Sequence, residues 1–162
     1  MNASLRPATG EDEAFLFELY ASTRREEIAA WGWSEPQRRA FLAMQHAAQR
    51  QGYAARFPRA DHRIIEAGGR AVGRLLVDRS GLEIRLVDIA LVPEARGQGI
   101  GSRLIGQLLE EAERGARPVR LQVLAGSRAQ ELYGRLGFRV MAQEPPYLEM
   151  EWAATRGRPP AE

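Results

Sequence analysis

One run of this chain is suited to holding an anion: Arg96-Gly97-Gln98-Gly99-Ile100-Gly101. It follows the apolar stretch Ile89 to Val92, which reads as the end of a strand stopped by Pro93. It leads into Leu104, Ile105, Leu108, Leu109 and Ala112, apolar positions at helical spacing. The first turn of a helix has unpaired N–H groups and the positive end of the macrodipole, so it attracts phosphate. Glycine at 97, 99 and 101 leaves that backbone open, and Arg96 adds a charge. Two familiar phosphate motifs do not fit. A P-loop needs Gly-Lys-Ser/Thr, whereas all 23 basic residues here are arginine. A dinucleotide loop needs Gly-x-Gly-x-x-Gly near the first strand of a parallel sheet, whereas this spacing is Gly-x-Gly-x-Gly, late in the chain.

Other chemistries are narrowed by what the chain lacks. It has no cysteine, which removes thiolate nucleophiles, disulfides and sulfur-based metal sites. His46 and His62 form a pair without the further ligands of a catalytic metal, so no metal is predicted. The net charge is +2, with basic residues alternating with 21 acidic ones and forming no stripe, which argues against nucleic-acid binding. Met1 to Pro7 lacks the features of a secretory signal, and no window nears the ~18 apolar residues needed to span a bilayer. The expectation is a cytoplasmic protein without membrane contact.

The elements that must position the loop follow from local signals. Ser4 to Arg6 reads as a strand ended by Pro7, and Thr9 caps a helix whose apolar positions Phe15, Leu16, Leu19 and Tyr20 fade at Ser22 to Glu27. Ser34 caps a second helix from Glu35 to about Gln51, with Phe41, Met44 and Ala48 on one face and Gly52 as its stop. Extended runs at 62–67, 71–78 and 83–92, separated by Gly68-Gly69 and Ser80-Gly81, predict a meander. The helix after Gly101 closes at Gly115. Val119 to Leu124 is a strand, Ser127 caps a short helix stopped by Gly137, and 138–142 and 147–152 are strands. A single 162-residue α/β domain over 1–152 is expected, its mixed, mostly antiparallel sheet flanked by about four helices, with a flexible tail at 153–162.

The sequence resembles the GCN5-related N-acetyltransferase family. Its acetyl-CoA signature, Arg/Gln-x-x-Gly-x-Gly/Ala, is met by Arg96, Gly99 and Gly101 after the run Asp88-Ile89-Ala90-Leu91-Val92-Pro93. A second block, a short helix ending in Tyr-x-x-x-Gly-Phe, is met by Tyr133, Gly137 and Phe138. In element order the resemblance covers residues 3 to 152, and its motifs span Val87 to Phe138.

The resemblance implies acetyl transfer from acetyl-CoA, the co-substrate, to a primary amine by direct attack in a ternary complex. It implies that Arg96 to Gly101 hold the diphosphate, Arg96, Gly97, Gln98, Gly99, Ile100 and Gly101 all included. It places the pantetheine arm and acetyl carbonyl along the main chain of Ile89, Ala90 and Leu91. Tyr133 matches the family's frequent general acid. Where the family often has a cofactor-contacting asparagine, this chain has Gly126 with Ser127 next, and Ser127 is taken as the contact. The motifs assign no general base. Strand parity puts Glu83 on the face of Ile89 and Leu91, and a bulge would bring Asp88 there instead. Gln45, Gln49, Tyr53 and Tyr147 are candidates for lining an acceptor pocket, and Trp31 and Trp33 read as packing residues. Acceptors consistent with the family are a basic metabolite, antibiotic or polyamine, or a protein N-terminus or lysine. A non-catalytic acyl-CoA-binding module is the rival of another class. Pairing of edge strands in a homodimer is a family-level expectation.

Overall fold

The computed structural model describes residues 2–155. Among them run β1 (Ala3–Pro7), α1 (Glu13–Ala29), α2 (Glu35–Arg56), β2 (Asp61–Ala67), β3 (Arg70–Asp78), β4 (Ile84–Leu91), α3 (Ile100–Arg114), β5 (Val119–Leu124), α4 (Arg128–Arg135), β6 (Arg139–Glu144) and β7 (Tyr147–Trp152). The strands hydrogen-bond in the order β1-β2-β3-β4-β5-β7-β6. β1 is antiparallel to β2, and β5 and β6 are each antiparallel to β7, while β4 and β5 are parallel. The predicted mixed sheet with four helices is therefore present. The chain divides into two compact units, one comprising the chain to Leu76 with Asp88–Gln98, the other Val77–Val87 with the chain from Gly99 onward. β3 and β4 each pass from one unit to the other.

In the first unit the local signals act close to where they stand. Thr9 makes a capping box with Asp12, but the box closes a short 3₁₀ turn at Gly10–Asp12, and α1 begins only at Glu13. The Asp12 carboxylate also takes the guanidinium of Arg6 at 2.7 and 3.0 Å, tying the helix start to β1. α1 does not fade at Ser22. The hydroxyls of Ser22 and Thr23 donate back to the carbonyls of Leu19 and Tyr20, and Ile28, 1% exposed, anchors the last turns. α2 starts at the Ser34–Gln37 capping box and continues through Gly52 to Arg56, since a glycine costs a helix only about 1 kcal/mol. Its buried face is Leu42 and His46, whereas Met44 is 59% exposed. The face expected from Phe41, Met44 and Ala48 is thus rotated by about one residue. Ile64 and Ile65 of β2 and Val72 to Val77 of β3 supply the core.

In the second unit α3 buries Ile100, Leu104, Ile105, Leu108 and Ala112. β5 alternates cleanly, with Val119, Leu121 and Val123 inward, and pairs with β7, whose Leu148 and Met150 are buried. β6 starts one residue later than predicted, runs to Glu144, and carries an irregularity between Val140 and Ala142. The tail expected to be loose from Ala153 begins packed: Ala154 is buried and the Thr155 N–H donates to Glu113 at 2.7 Å. Its remainder, 156–162, lies outside the described residues.

Candidate active site

The turn from Arg96 to Gly101 has the backbone that its glycines suggest. Gly97 and Gly99 adopt φ of +74° and +82°, the left-handed region that L side chains avoid. Gly99 is the N-cap of α3 and offers no side chain, so the first N–H groups of the helix need a partner from elsewhere. A Cβ built on Gly97, Gly99 or Gly101 would meet nothing within 4 Å, so the space in front of this backbone is open. These residues fit a diphosphate. Arg96 donates from Nε to the Leu91 carbonyl at 3.0 Å, and Gln98 from Nε2 to the Glu94 carbonyl at 2.9 Å, bracing the turn from its own preceding residues. The Ile100 side chain, 2% exposed, is core, which leaves only its main chain for a ligand.

β4 enters this turn. Its register with β5 covers Ile84↔Val119 and Arg85↔Arg120, and the strand runs on to Leu91. Ile89, Ala90 and Leu91 are half-buried. Next to them lies Gly73 of β3, whose missing side chain leaves room for the Ala90 carbonyl, and the Val92 N–H donates to the Val72 carbonyl at 2.8 Å.

Asp88 shares a cavity of about 160 Å³ with Ile89 and Ala90. Its carboxylate is held by Arg74, with Nε at 2.8 Å and Nη2 at 2.7 Å, and Arg74 Nη2 also donates to Gln49 Oε1 at 3.0 Å. Arg74 is only 7% exposed and lies over the Tyr53 ring at 5.7 Å. Sequence reasoning missed it. The available signal was an arginine inside the apolar run Val72 to Val77, a buried position at which a cation requires an anion.

Glu83 stands elsewhere. It precedes β4, lies 3.8 Å from Arg120, and keeps one carboxylate oxygen buried without a hydrogen bond. Arg120 is taken more closely by Glu151 at 2.6 Å. Of the two candidate bases, only Asp88 therefore lines the cavity beside Ile89 and Ala90.

Gln49 and Tyr53 come to cavities in the first unit, Tyr53 to one of about 550 Å³. Gln45 lines neither of these two, and Tyr147 is 44% exposed on β7. Trp31, Trp33 and Phe41 form an edge-on cluster with ring centroids 5.1 to 5.5 Å apart, in which both tryptophans stay partly exposed to solvent. His46 is buried against the rings of Phe17 and Tyr20. Burial, then Arg74 and Arg50, push its pKa below the ordinary value. Burial, then Arg74, do the same for His62, partly offset by nearby carboxylates, and His62 Nε2 is buried without a hydrogen-bond partner. Among the described residues no group of three or more His, Asp or Glu is placed to hold a metal, and no helix is long and apolar enough to cross a membrane.

In the second unit Tyr133 of α4 is buried, its ring 5.5 Å from that of Phe138. Ser127 caps α4: its hydroxyl accepts from the Gln130 N–H at 3.2 Å and donates to the Leu124 carbonyl at 2.7 Å. That hydroxyl is engaged by the cap, and Gly126 beside it has φ of +79°, which explains a glycine there.

Residues 58–140 match the family model described as Acetyltransferase (GNAT) domain. The thialysine N-epsilon-acetyltransferase of Bos taurus is 48% identical over 59 residues, covering 35% of this chain and 35% of the bovine protein. The match thus takes in about a third of that relative's length. PaiA N-acetyltransferase from Thermoplasma acidophilum, solved in complex with coenzyme A, superposes with a TM-score of 0.71 at 17% identity, covering 94% of this chain and 99% of that one. A GNAT family acetyltransferase from Elizabethkingia anophelis with acetyl-CoA bound gives 0.60 at 13% identity, covering 94% and 98%. At these identities the structural likeness concerns the fold.

Proposed function

The chain belongs to the GNAT acetyltransferase family, and on that premise we propose that it moves the acetyl group of acetyl-CoA to a primary amine by direct attack in a ternary complex. The observation that carries this reading is the glycine-opened N-terminus of α3, uncapped by any side chain and fronted by open space. Backbone N–H groups from Gly97 to Gly101 bind the diphosphate, and Arg96 adds its charge. The main chain of Ile89, Ala90 and Leu91 orients the pantetheine arm, and an N–H there polarises the acetyl carbonyl. Bound acetyl-CoA supplies the activated thioester. Asp88, oriented by Arg74, receives the proton that the acceptor nitrogen loses as the carbon–nitrogen bond forms. Tyr133 delivers a proton to the sulfur as the carbon–sulfur bond breaks. Glu83, set before β4 beside Arg120, is the less well placed candidate, since it does not line the cavity beside Ile89 and Ala90. The reading takes residues 1–152 as one catalytic domain. It places the protein in the cytoplasm, where a cysteine-free chain forgoes nothing, and pairs two copies through the exposed edge strand β6, on which Val140 and Met141 face solvent.

Thermal melting with acetyl-CoA is the direct test. At a hundredfold excess over Kd a ligand adds about 2.7 kcal/mol, or roughly 5–10 °C for a chain of this size. No stabilisation at millimolar acetyl-CoA refutes the reading. Thiol release over an amine panel separates an enzyme from a binding module. Tyr133→Phe should lower kcat by about 10²-fold while leaving the KM for acetyl-CoA within about twofold.

A further inference from the structure

The two cavities of the first unit share Leu16, His46 and Arg74. The smaller ends at Asp88, Ile89 and Ala90, and the larger, of about 550 Å³, extends along α2 past Arg50 to Tyr53 and Phe57. The walls of the larger one are mainly apolar. Its charged lining residues are Arg50, Arg74 and Glu13. Arg74 is already bound by Asp88 and Gln49, whereas Arg50 makes no ion pair among the described residues. Glu13 on the first turn of α1 and Arg50 on α2 are both exposed, so solvent screens each of them. The charges that act on His46, at the junction of the cavities, are the guanidiniums of Arg74 and Arg50. The larger cavity therefore has, on its solvent-exposed side, one guanidinium without an ion pair, that of Arg50.

Resting on the acetyltransferase reading, we propose that the acceptor is an amine that also carries a carboxylate, bound by Arg50 in the larger cavity while the amine reaches the smaller one beside Asp88 and Ala90. Arg50 lies four residues beyond His46 on α2, about 6 Å along the axis. His46 belongs to both cavities, so the junction with the smaller one lies about one helical turn from Arg50 along α2. This suits an ω-amino acid, whose reactive amine is remote from its carboxylate, and not an amine adjacent to its own carboxyl group. The apolar walls accept the methylene chain between the two ends. The guanidinium fork matches a carboxylate with two hydrogen bonds. A diamine of the same length would place a second cation against Arg50, a like-charge contact that opposes binding.

The test compares 6-aminohexanoate, hexylamine and 1,6-diaminohexane, with released thiol as the readout, on the wild-type chain and on Arg50→Gln. The wild type should show a kcat/KM for 6-aminohexanoate about tenfold or more above those of the other two, the scale of one charge-assisted contact. Arg50→Gln should bring the ratio close to one, chiefly through the acceptor KM, with the KM for acetyl-CoA unmoved. Equal or reversed preference in the wild type, or a preference that survives Arg50→Gln, overturns the proposal. If no amine releases thiol, the acetyl-transfer reading has failed, and binding then decides the anion site. In that case 6-aminohexanoate must raise the melting temperature of the wild type more than hexylamine does, and Arg50→Gln must abolish the difference. Absence of that difference overturns the proposal as well.

Discussion

Replacing Gly73 by alanine tests how closely β3 is laid against the stretch of β4 that carries Ile89, Ala90 and Leu91. A Cβ at this position overlaps the carbonyl oxygen of Ala90, stands 2.9 Å from Leu91 Cδ2 and 3.2 Å from Leu91 Cα. The leucine methyl can turn away. The main-chain oxygen and Cα cannot yield unless the strand moves, which puts the overpacking cost at the upper end of its usual range, about 3 kcal/mol. Alanine recovers about 0.5–1 kcal/mol by restricting the unfolded chain, leaving a net loss of about 2 kcal/mol. For a chain of this length that is a fall in Tm of about 4–8 °C. The displaced strand is also the one proposed to hold the cofactor arm, so the KM for acetyl-CoA should rise by about tenfold, equivalent to 1.4 kcal/mol. Scanning calorimetry and steady-state kinetics read the two effects. Gly106→Ala on α3 is the control, because nothing lies within 4 Å of its Cβ position, and it should stabilise by about 0.5–1 kcal/mol. A Gly73→Ala protein that melts within about 1 °C of wild type with an unchanged KM would refute the close-approach argument.

Other perturbations test other parts of the molecule. Gly99→Ala forces a side chain to φ of +82°, a strain of about 1–2 kcal/mol, and should weaken acetyl-CoA binding in the same thermal-shift assay; equal affinity would speak against the α3 cradle. The Arg6 guanidinium, then the Thr9 N–H, hold the Asp12 carboxyl at about 2, below its ordinary 3.8. The ionised form is therefore favoured by folding, and its contribution, complete above about pH 4, is lost as pH falls towards 2. Asp12→Asn should cost about 1 kcal/mol at neutral pH and flatten the acid limb of a pH–stability curve. His46 and His62 are held below 6.5, chiefly by burial, so the folded chain binds fewer protons there than the unfolded one. Stability should decline as pH drops below about 6.5. Their imidazole NMR titrations should have midpoints below 6.5, and a midpoint above it for either would contradict its burial.

Much of the fold was readable because its signals act within a few residues. Ser34 and Ser127 cap the helices they precede, Gly97 and Gly99 take the positive φ that only glycine adopts freely, and β5 alternates as its residues do. Its helix ends were less readable. Gly52 and the polar run from Ser22 read as stops, yet Phe57 beyond the first and Ile28 beyond the second make contacts that extend the helices.

The amino-acid sequence by itself determined the glycine-opened helix start, the strand that leads to it and the family to which the chain belongs. These depend on residue types at short spacing. Only the tertiary structure decided which face of α2 turns inward, and that Arg74 joins Asp88 to Gln49 across 14 and 25 residues of chain. It alone showed that Arg50 lines a cavity and makes no ion pair among the described residues. Those outcomes turn on which side chains distant segments bring together, as with the buried Arg74 and its anion, and no local pattern carries that information.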